Sequence, residues 1–167
     1  CSAASPLFAV GLAPGMLYLA HAVPTGPPGG GAGLGLVTLA SHALYHAPVT
    51  CLAFSAPSAS LPALAVGSSA EAGVHLVDVS TAGTFAVLCR FDPPNAGPAL
   101  SLAWHGADAV LVGGEAGALA SVAVESAASA EGVQLVAKPK WSATAATAGG
   151  PVCAIAPPPG AGATKEA

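Results

Sequence analysis

The chain is 167 residues long and 53% apolar, and only 7% of it is charged, against about a quarter in a typical soluble domain. With a net charge of −4 and four basic side chains in all, Arg90, Lys138, Lys140 and Lys165, there is no patch to neutralise phosphates, which argues against a nucleic-acid partner. No Asp, Glu, Lys or Arg precedes Glu71, and a surface so poor in charge implies cover by more of the same polypeptide or by a partner.

Taken in order, the chain opens at Cys1 and its single methionine is Met16, so it reads as a processed or partial sequence. Leu7 to Val23 is the best candidate membrane span, but Gly11, Pro14, Gly15 and His21 interrupt it and leave it short of the ~20 continuous apolar residues a bilayer needs. No basic region precedes it, so no cleavable signal pattern is formed. Membrane insertion is not expected, and a helical membrane protein is kept as a distant alternative.

The same stretch has a partner further on. Ala9-Val10-Gly11 through Leu19 aligns without a gap on Leu111-Val112-Gly113 through Ser121, and Ala65-Val66-Gly67 through Val77 fits between them with two extra residues in its turn. Each copy is a strand ending in Val-Gly, a turn closed by glycine, and a second strand, the pattern of a β-hairpin. Gly15, Gly73 and Gly117 are expected to supply the positive φ of those turns.

A second element recurs out of phase with the first. Ala47-Pro48-Val49 to Ala53, Gly97-Pro98-Ala99 to Ala103, and Gly150-Pro151-Val152 to Ala156 align without gaps, 50 residues apart from Leu52 to Leu102 and 53 from Leu102 to Ile155. Alternate residues of a strand face opposite ways. One face therefore carries Leu52 and Phe54, then Leu102 and Trp104; the other carries Cys51 and Ala53, then Ser101 and Ala103. Such a strand suits burial on both sides between neighbouring sheets.

Fourth strands are expected at Gly35–Leu39, Thr84–Leu88 and Gly132–Val136. Composition marks loops at Pro24–Gly33, Ala56–Pro62, Asp92–Pro98 and Lys138–Gly150, with Pro157–Ala167 as a tail. The chain thus divides into four pieces. Residues 1–46 hold the last three strands of a first unit, 47–91 a complete second unit that serves as reference, and 92–140 a third. Residues 141–167 hold a loop, the first strand of a fourth unit and the tail.

Val49-Thr50-Cys51-Leu52-Ala53-Phe54-Ser55, Leu64-Ala65-Val66-Gly67-Ser68 and Val74-His75-Leu76-Val77-Asp78-Val79 together resemble a WD40 repeat, and the resemblance extends over most of residues 7–156. It implies an all-β fold: a partial β-propeller of about two and a half to three four-stranded antiparallel blades. The family's Trp-Asp pair is replaced by Val77-Asp78 and Val124-Glu125, and its turn Asp by Glu71-Ala72-Gly73 and Glu115-Ala116-Gly117. His42 or His46 is the candidate for the family's histidine ahead of the first strand. Kelch repeats are the rival, on Gly113-Gly114 and a period of ~50. Fewer than ~4 blades do not close a ring, so the remaining blades are expected from the same or another chain.

Chemistry is thinly marked. Cys51, Cys89 and Cys153 form no C-x-x-C, and Cys51 aligns with small residues, so buried free thiols are preferred to a metal site or disulfide. The histidines His21, His42, His46, His75 and His105 are spread over different units, and only His42 and His46 are close in sequence. No nucleophile elbow, P-loop or dinucleotide fingerprint is present. Gly29–Gly35 reads as a loop, and Trp104 and Trp141 as core or interface anchors. No catalytic, cofactor-binding or metal-ligating residue is nominated, no cofactor is expected, and the sequence does not specify partner-binding residues.

The resemblance implies a non-enzymatic scaffold for protein–protein interaction within a larger protein or multiprotein complex. It also implies an intracellular, cytoplasmic location, with a cilium or the cytoskeleton as one setting. The competing class is a propeller enzyme with its site across a central channel, to which His75 or Glu71 would contribute.

Overall fold

A computed structural model describes residues 7–26, 33–56, 62–80, 86–129, 132–144 and 150–156. Among them there is no helix, and eleven strands form three antiparallel sheets. The first sheet contains β1 (Leu7–Leu12), β2 (Met16–Thr25) and β3 (Gly33–Ala43); the second β4 (Val49–Phe54), β5 (Ala63–Ser68), β6 (Val74–Asp78) and β7 (Val87–Phe91). The third contains β8 (Ala99–His105), β9 (Ala109–Gly114), β10 (Ala118–Ser129) and β11 (Gly132–Thr144). Strands lie in each sheet in chain order, and the three sheets do not close on one another.

The expected Val-Gly hairpins are β1–β2, β5–β6 and β9–β10, and Gly15, Gly73 and Gly117 have φ of 74°, 99° and 73°. Register corrects one detail. Gly11 pairs with Leu17, Gly67 with Val74 and Gly113 with Leu119, so the middle turn holds one additional residue between paired positions, not two. Its closing glycine simply sits one place later relative to the strand that follows.

The sheets stack face to face through two cores. Leu64, Val66 and Val77 of the second sheet meet Leu17 of the first, with Tyr45 and Val49 completing the cluster. On its other face Ala65, Val74 and Leu76 meet Val110, Val112 and Ala118 of the third. Strand β5 is buried along its whole length because both faces are covered. That is why its sequence, Ala-Leu-Ala-Val-Gly-Ser, lacks the polar alternation of a half-exposed strand.

The first strands of the second and third sheets lie at these seams as their two-sided pattern predicts. Leu52 packs toward the first sheet and Leu102 toward the second, whereas Cys51 and Ala53 face the third. Phe54 is the exception, being 41% exposed at the strand end.

One contact recurs at each seam. A Cβ added to Gly11 would lie 2.7 Å from Val49 Cβ, one on Gly67 2.9 Å from Ala99 Cβ, and one on Gly113 2.8 Å from Val152 Cβ. Val49, Ala99 and Val152 are the same position of the Pro-containing element. The repeat therefore extends to packing: glycine is required at each seam because the next unit's first segment approaches within contact of bare backbone.

Three expectations are corrected. Lys138–Gly150 is not all loop: β11 continues to Thr144, its exposed side solvated by Lys138 and Lys140, and Pro139 lies on the outer strand of the sheet, where a missing donor is tolerated. Residues 150–156 carry the first-strand pattern but form no strand. Val152 donates its N–H to the Gly114 carbonyl at 3.1 Å and accepts from Ser101 Oγ at 2.7 Å, without a ladder partner among the described residues. The fourth strand of the reference unit begins later than Thr84–Leu88, at Val87; Thr84 and Phe85 lie outside the described residues.

Candidate functional site

Around His75 the second sheet collects the groups with the least ordinary surroundings. His75 stands in a cross-strand row with Leu52, Val66 and Arg90, on the face turned toward the first sheet. Tyr45, from the connection between β3 and β4, lies edge-on to its ring with centroids 4.7 Å apart. The Tyr45 hydroxyl reaches two carbonyls, Val66 O at 2.7 Å and Gly73 O at 3.0 Å. Burial drives the Tyr45 phenol far above its ordinary range, so it is a permanent hydrogen-bond donor.

Close by, Glu71 Oε1 accepts the His46 backbone N–H, and Ser68 Oγ, itself buried, accepts from Ala70 N at 3.3 Å. The group ties the chain entering β4 to the β5–β6 turn. His42 and His46, the candidates for a histidine ahead of β4, are both exposed. The buried side chain there is Tyr45, 5% exposed. A tyrosine flanked by Leu44 and His46 carries no signal of this role, because its acceptors lie 21 and 28 residues downstream.

His75 Nδ1 is buried with no hydrogen-bond partner. Desolvation lowers the pKa of His75, helped by Arg90 and His42 and opposed by Glu71 and Asp92. A histidine whose folded-state pKa lies below its unfolded value of about 6.5 leaves stability intact above that pH. Stability then falls as pH drops from there to the folded pKa, since the unfolded chain binds the extra proton first. Urea midpoints at pH 7.5 and 5.0 are expected to show this loss. His75→Phe, which keeps an aromatic edge for Tyr45 and removes the buried nitrogen, is expected to flatten it; an unchanged pH slope in the variant would assign the loss to other groups.

The remaining candidates separate. Cys51 Sγ lies 3.3 Å from Ala99 O across the seam, where Ser101 in the next unit reaches Val152 O. Trp104 crosses the same seam in the opposite direction, its Nε1–H donating to Ala53 O at 2.9 Å. Cys51, Cys89 and Cys153 are free. Burial pushes the Cys51 thiol up to about 11, and that of Cys89 upward, whereas Cys153 is exposed.

With its pKa pushed to about 11 by burial, Cys51 is almost wholly in the unreactive thiol form at pH 8. Maleimide labelling followed by peptide mapping is expected to find the exposed Cys153 modified well before Cys51, by at least about tenfold. Comparable rates would show that the seam does not protect the thiol.

Asp78 ends β6 by accepting the Ser80 N–H at 2.7 Å, a local turn bond. His21 is half-buried in β2, His105 is exposed at the end of β8, and Glu115 is exposed in its turn. Among the described residues no three His, Cys, Asp or Glu side chains are placed to hold a metal ion, and no helix is long and apolar enough to cross a membrane.

The surface offers a different kind of site. Strand β3 is one of the two outer strands of the first sheet, and Leu34, Leu36 and Val37 are 79%, 63% and 49% exposed along it. It contains no Lys, Arg, Asp, Glu or Pro. The outer strand of the third sheet, β11, carries Lys138, Pro139 and Lys140, which discourage strand addition. An uncharged, eleven-residue edge strand with exposed apolar side chains lacks the features that discourage strand addition.

No protein-family model matches the chain, and no curated protein matches it in sequence.

Proposed function

We propose that this chain is a WD40-like propeller segment, each sheet serving as a blade, and that it acts as a non-enzymatic scaffold for other proteins within a larger protein or assembly. The observation that carries the reading is the threefold seam: Gly11 against Val49, Gly67 against Ala99 and Gly113 against Val152. A series of antiparallel sheets in chain order, each joined to the next by the same contact, is what radial repetition of one unit requires. In this reading Tyr45, Ser68 and Glu71 tie the chain entering the blade's first strand to its central turn. The uncharged β3 edge is the partner-binding surface.

Capture from cell extract with the wild-type chain and with Leu34→Lys/Leu36→Lys, compared by quantitative mass spectrometry, tests the scaffold role. A set of proteins held by the wild type and lost from the variant is expected, provided the two have matching circular dichroism. Identical sets, or none above background, would remove the β3 edge as the binding surface and the scaffold reading with it.

A further inference from the structure

The half-buried ring of His75 keeps its Nδ1 away from water and from every hydrogen-bonding group. An unpaired N–H is a costlier occupant of such a place than a bare lone pair, so the neutral ring holds its one hydrogen on Nε2. Protonation then has a single destination. The second hydrogen goes to Nδ1, where a charged donor meets no acceptor.

Of the elements packed on this ring, one is held differently from the rest. His75 lies inside the second sheet, its strand paired with β5 through Val66 and with β7 through Arg90. Tyr45, edge-on to the imidazole, belongs to a connection that forms no strand and hangs on separate bonds. Leu44 N–H and Tyr45 N–H donate to Gly15 O at 3.0 and 3.4 Å, the Tyr45 hydroxyl reaches Val66 O and Gly73 O, and His46 N–H donates to Glu71. Isolated bonds open at lower cost than a ladder, so residues 44–46 yield before β6 does.

The charges around the ring supply no acceptor for Nδ1. Strand β7 brings Arg90, whose guanidinium donates to Ala72 O at 2.9 Å and lies 3.6 Å from the Asp92 carboxylate; β3 brings His42, the β5–β6 turn brings Glu71, and the connection itself brings Tyr45 and the exposed His46. Arg90 and His42 oppose a second positive charge, whereas Glu71 and Asp92 favour one. Glu71 is already engaged by His46 N–H, so turning it toward an imidazolium frees the same connection.

We infer that residues 44–46 are an acid-released strap: protonation of His75 detaches Tyr45 from the second sheet and opens the seam between the first and second sheets while the strand ladders of both stay formed. Tyr45 shares an apolar cluster with Leu17, Val49, Leu64, Val66 and Val77, so its departure admits water there. The device does not depend on whether the sheets are blades.

Its direction in pH is fixed. With the strap open the ring titrates near its ordinary value of about 6.5; with the strap closed it titrates lower. Above that pH closure displaces no proton. Below it the open form binds the proton first, and the ratio of open to closed rises by up to about tenfold per pH unit until the closed-state pKa is reached.

Amide hydrogen exchange of the full chain, followed by NMR at pH 7.5 and 5.0 and corrected for the intrinsic rate at each pH, tests the strap. Protection of the Leu44, Tyr45 and His46 amides is expected to fall by about tenfold. At pH 5.0 their exchange is expected to be insensitive to urea below the unfolding transition, the mark of a local opening, while that of β5 accelerates. Unchanged protection, or strap amides that accelerate with urea in step with β5, overturns the inference. His75→Phe is expected to keep the same strap protection at both pH values; an equal acid loss in this variant assigns the release to another group and overturns it as well. A measurement on the unsubstituted chain stands beside the variant: long-range proton–nitrogen correlation of the His75 ring at pH 7.5 is expected to find the hydrogen on Nε2, and a hydrogen on Nδ1 overturns the mechanism.

Discussion

Gly114→Ala is expected to destabilise the chain by about 3 kcal/mol, the upper part of the range for overpacking a tight interior. At roughly 2–4 °C per kcal/mol for a chain of this size, that lowers the thermal midpoint by about 6–12 °C. Gly114 ends β9 beneath the 92–98 loop, and a Cβ there would fall on the carbonyl of Ala96. Ala96 cannot yield cheaply: it is wholly buried in the core between the second and third sheets, and the residue before it, Asn95, holds a positive φ of 59°, a conformation asparagine tolerates better than most residues.

The Gly114 carbonyl also receives the Val152 N–H, so displacing the backbone loosens the 150–156 segment as well. Gly97→Ala is the control. Gly97 has φ of 63° and open space where its Cβ would be, so its substitution carries only the left-handed penalty of about 1 kcal/mol. Denaturation of the two variants side by side is expected to rank Gly114→Ala well above Gly97→Ala. Equal losses would mean that the backbone around Ala96 yields to the added methyl group at little cost.

The contrast marks what a sequence can and cannot carry in this fold. Local geometry was legible. The Val-Gly hairpins, the turn glycines and the two-sided pattern of Leu52 and Leu102 are written within a dozen residues of each other, and all reappear in the sheets. The start of β11 was legible at Gly132–Val136, but its continuation was hidden because an exposed outer strand reads there as Lys-Pro-Lys-Trp-Ser, the composition of a loop. The seam glycines could be aligned but not explained, since each is required by a residue some 32 to 39 positions later in the chain.

Tyr45 was missed for the same reason. Its neighbours in sequence say nothing about acceptors on β5 and the following turn. His75, by contrast, was legible as a residue on a strand but not as one whose Nδ1 is buried, because its Tyr45 cover comes from another connection.

Tyr45→Ala should therefore be more damaging than its place between two strands suggests, at about 3–5 kcal/mol for loss of a buried aromatic ring. Tyr45→Phe separates the two parts of that effect. It keeps the ring against His75 and removes only the hydroxyl shared by Val66 O and Gly73 O, at about 1–2 kcal/mol for acceptors left without their donor. The two variants should also differ at His75. With phenylalanine the ring still covers the imidazole edge, so desolvation continues to hold its pKa below the ordinary value. With alanine, water reaches the site, and because desolvation is the leading cause of the depression, the pKa returns toward about 6.5. Proton NMR titration of the His75 ring reads this directly. If Tyr45→Phe restored an ordinary titration and Tyr45→Ala did no more, the hydroxyl and its carbonyls would be holding the histidine neutral, and the aromatic cover would be incidental.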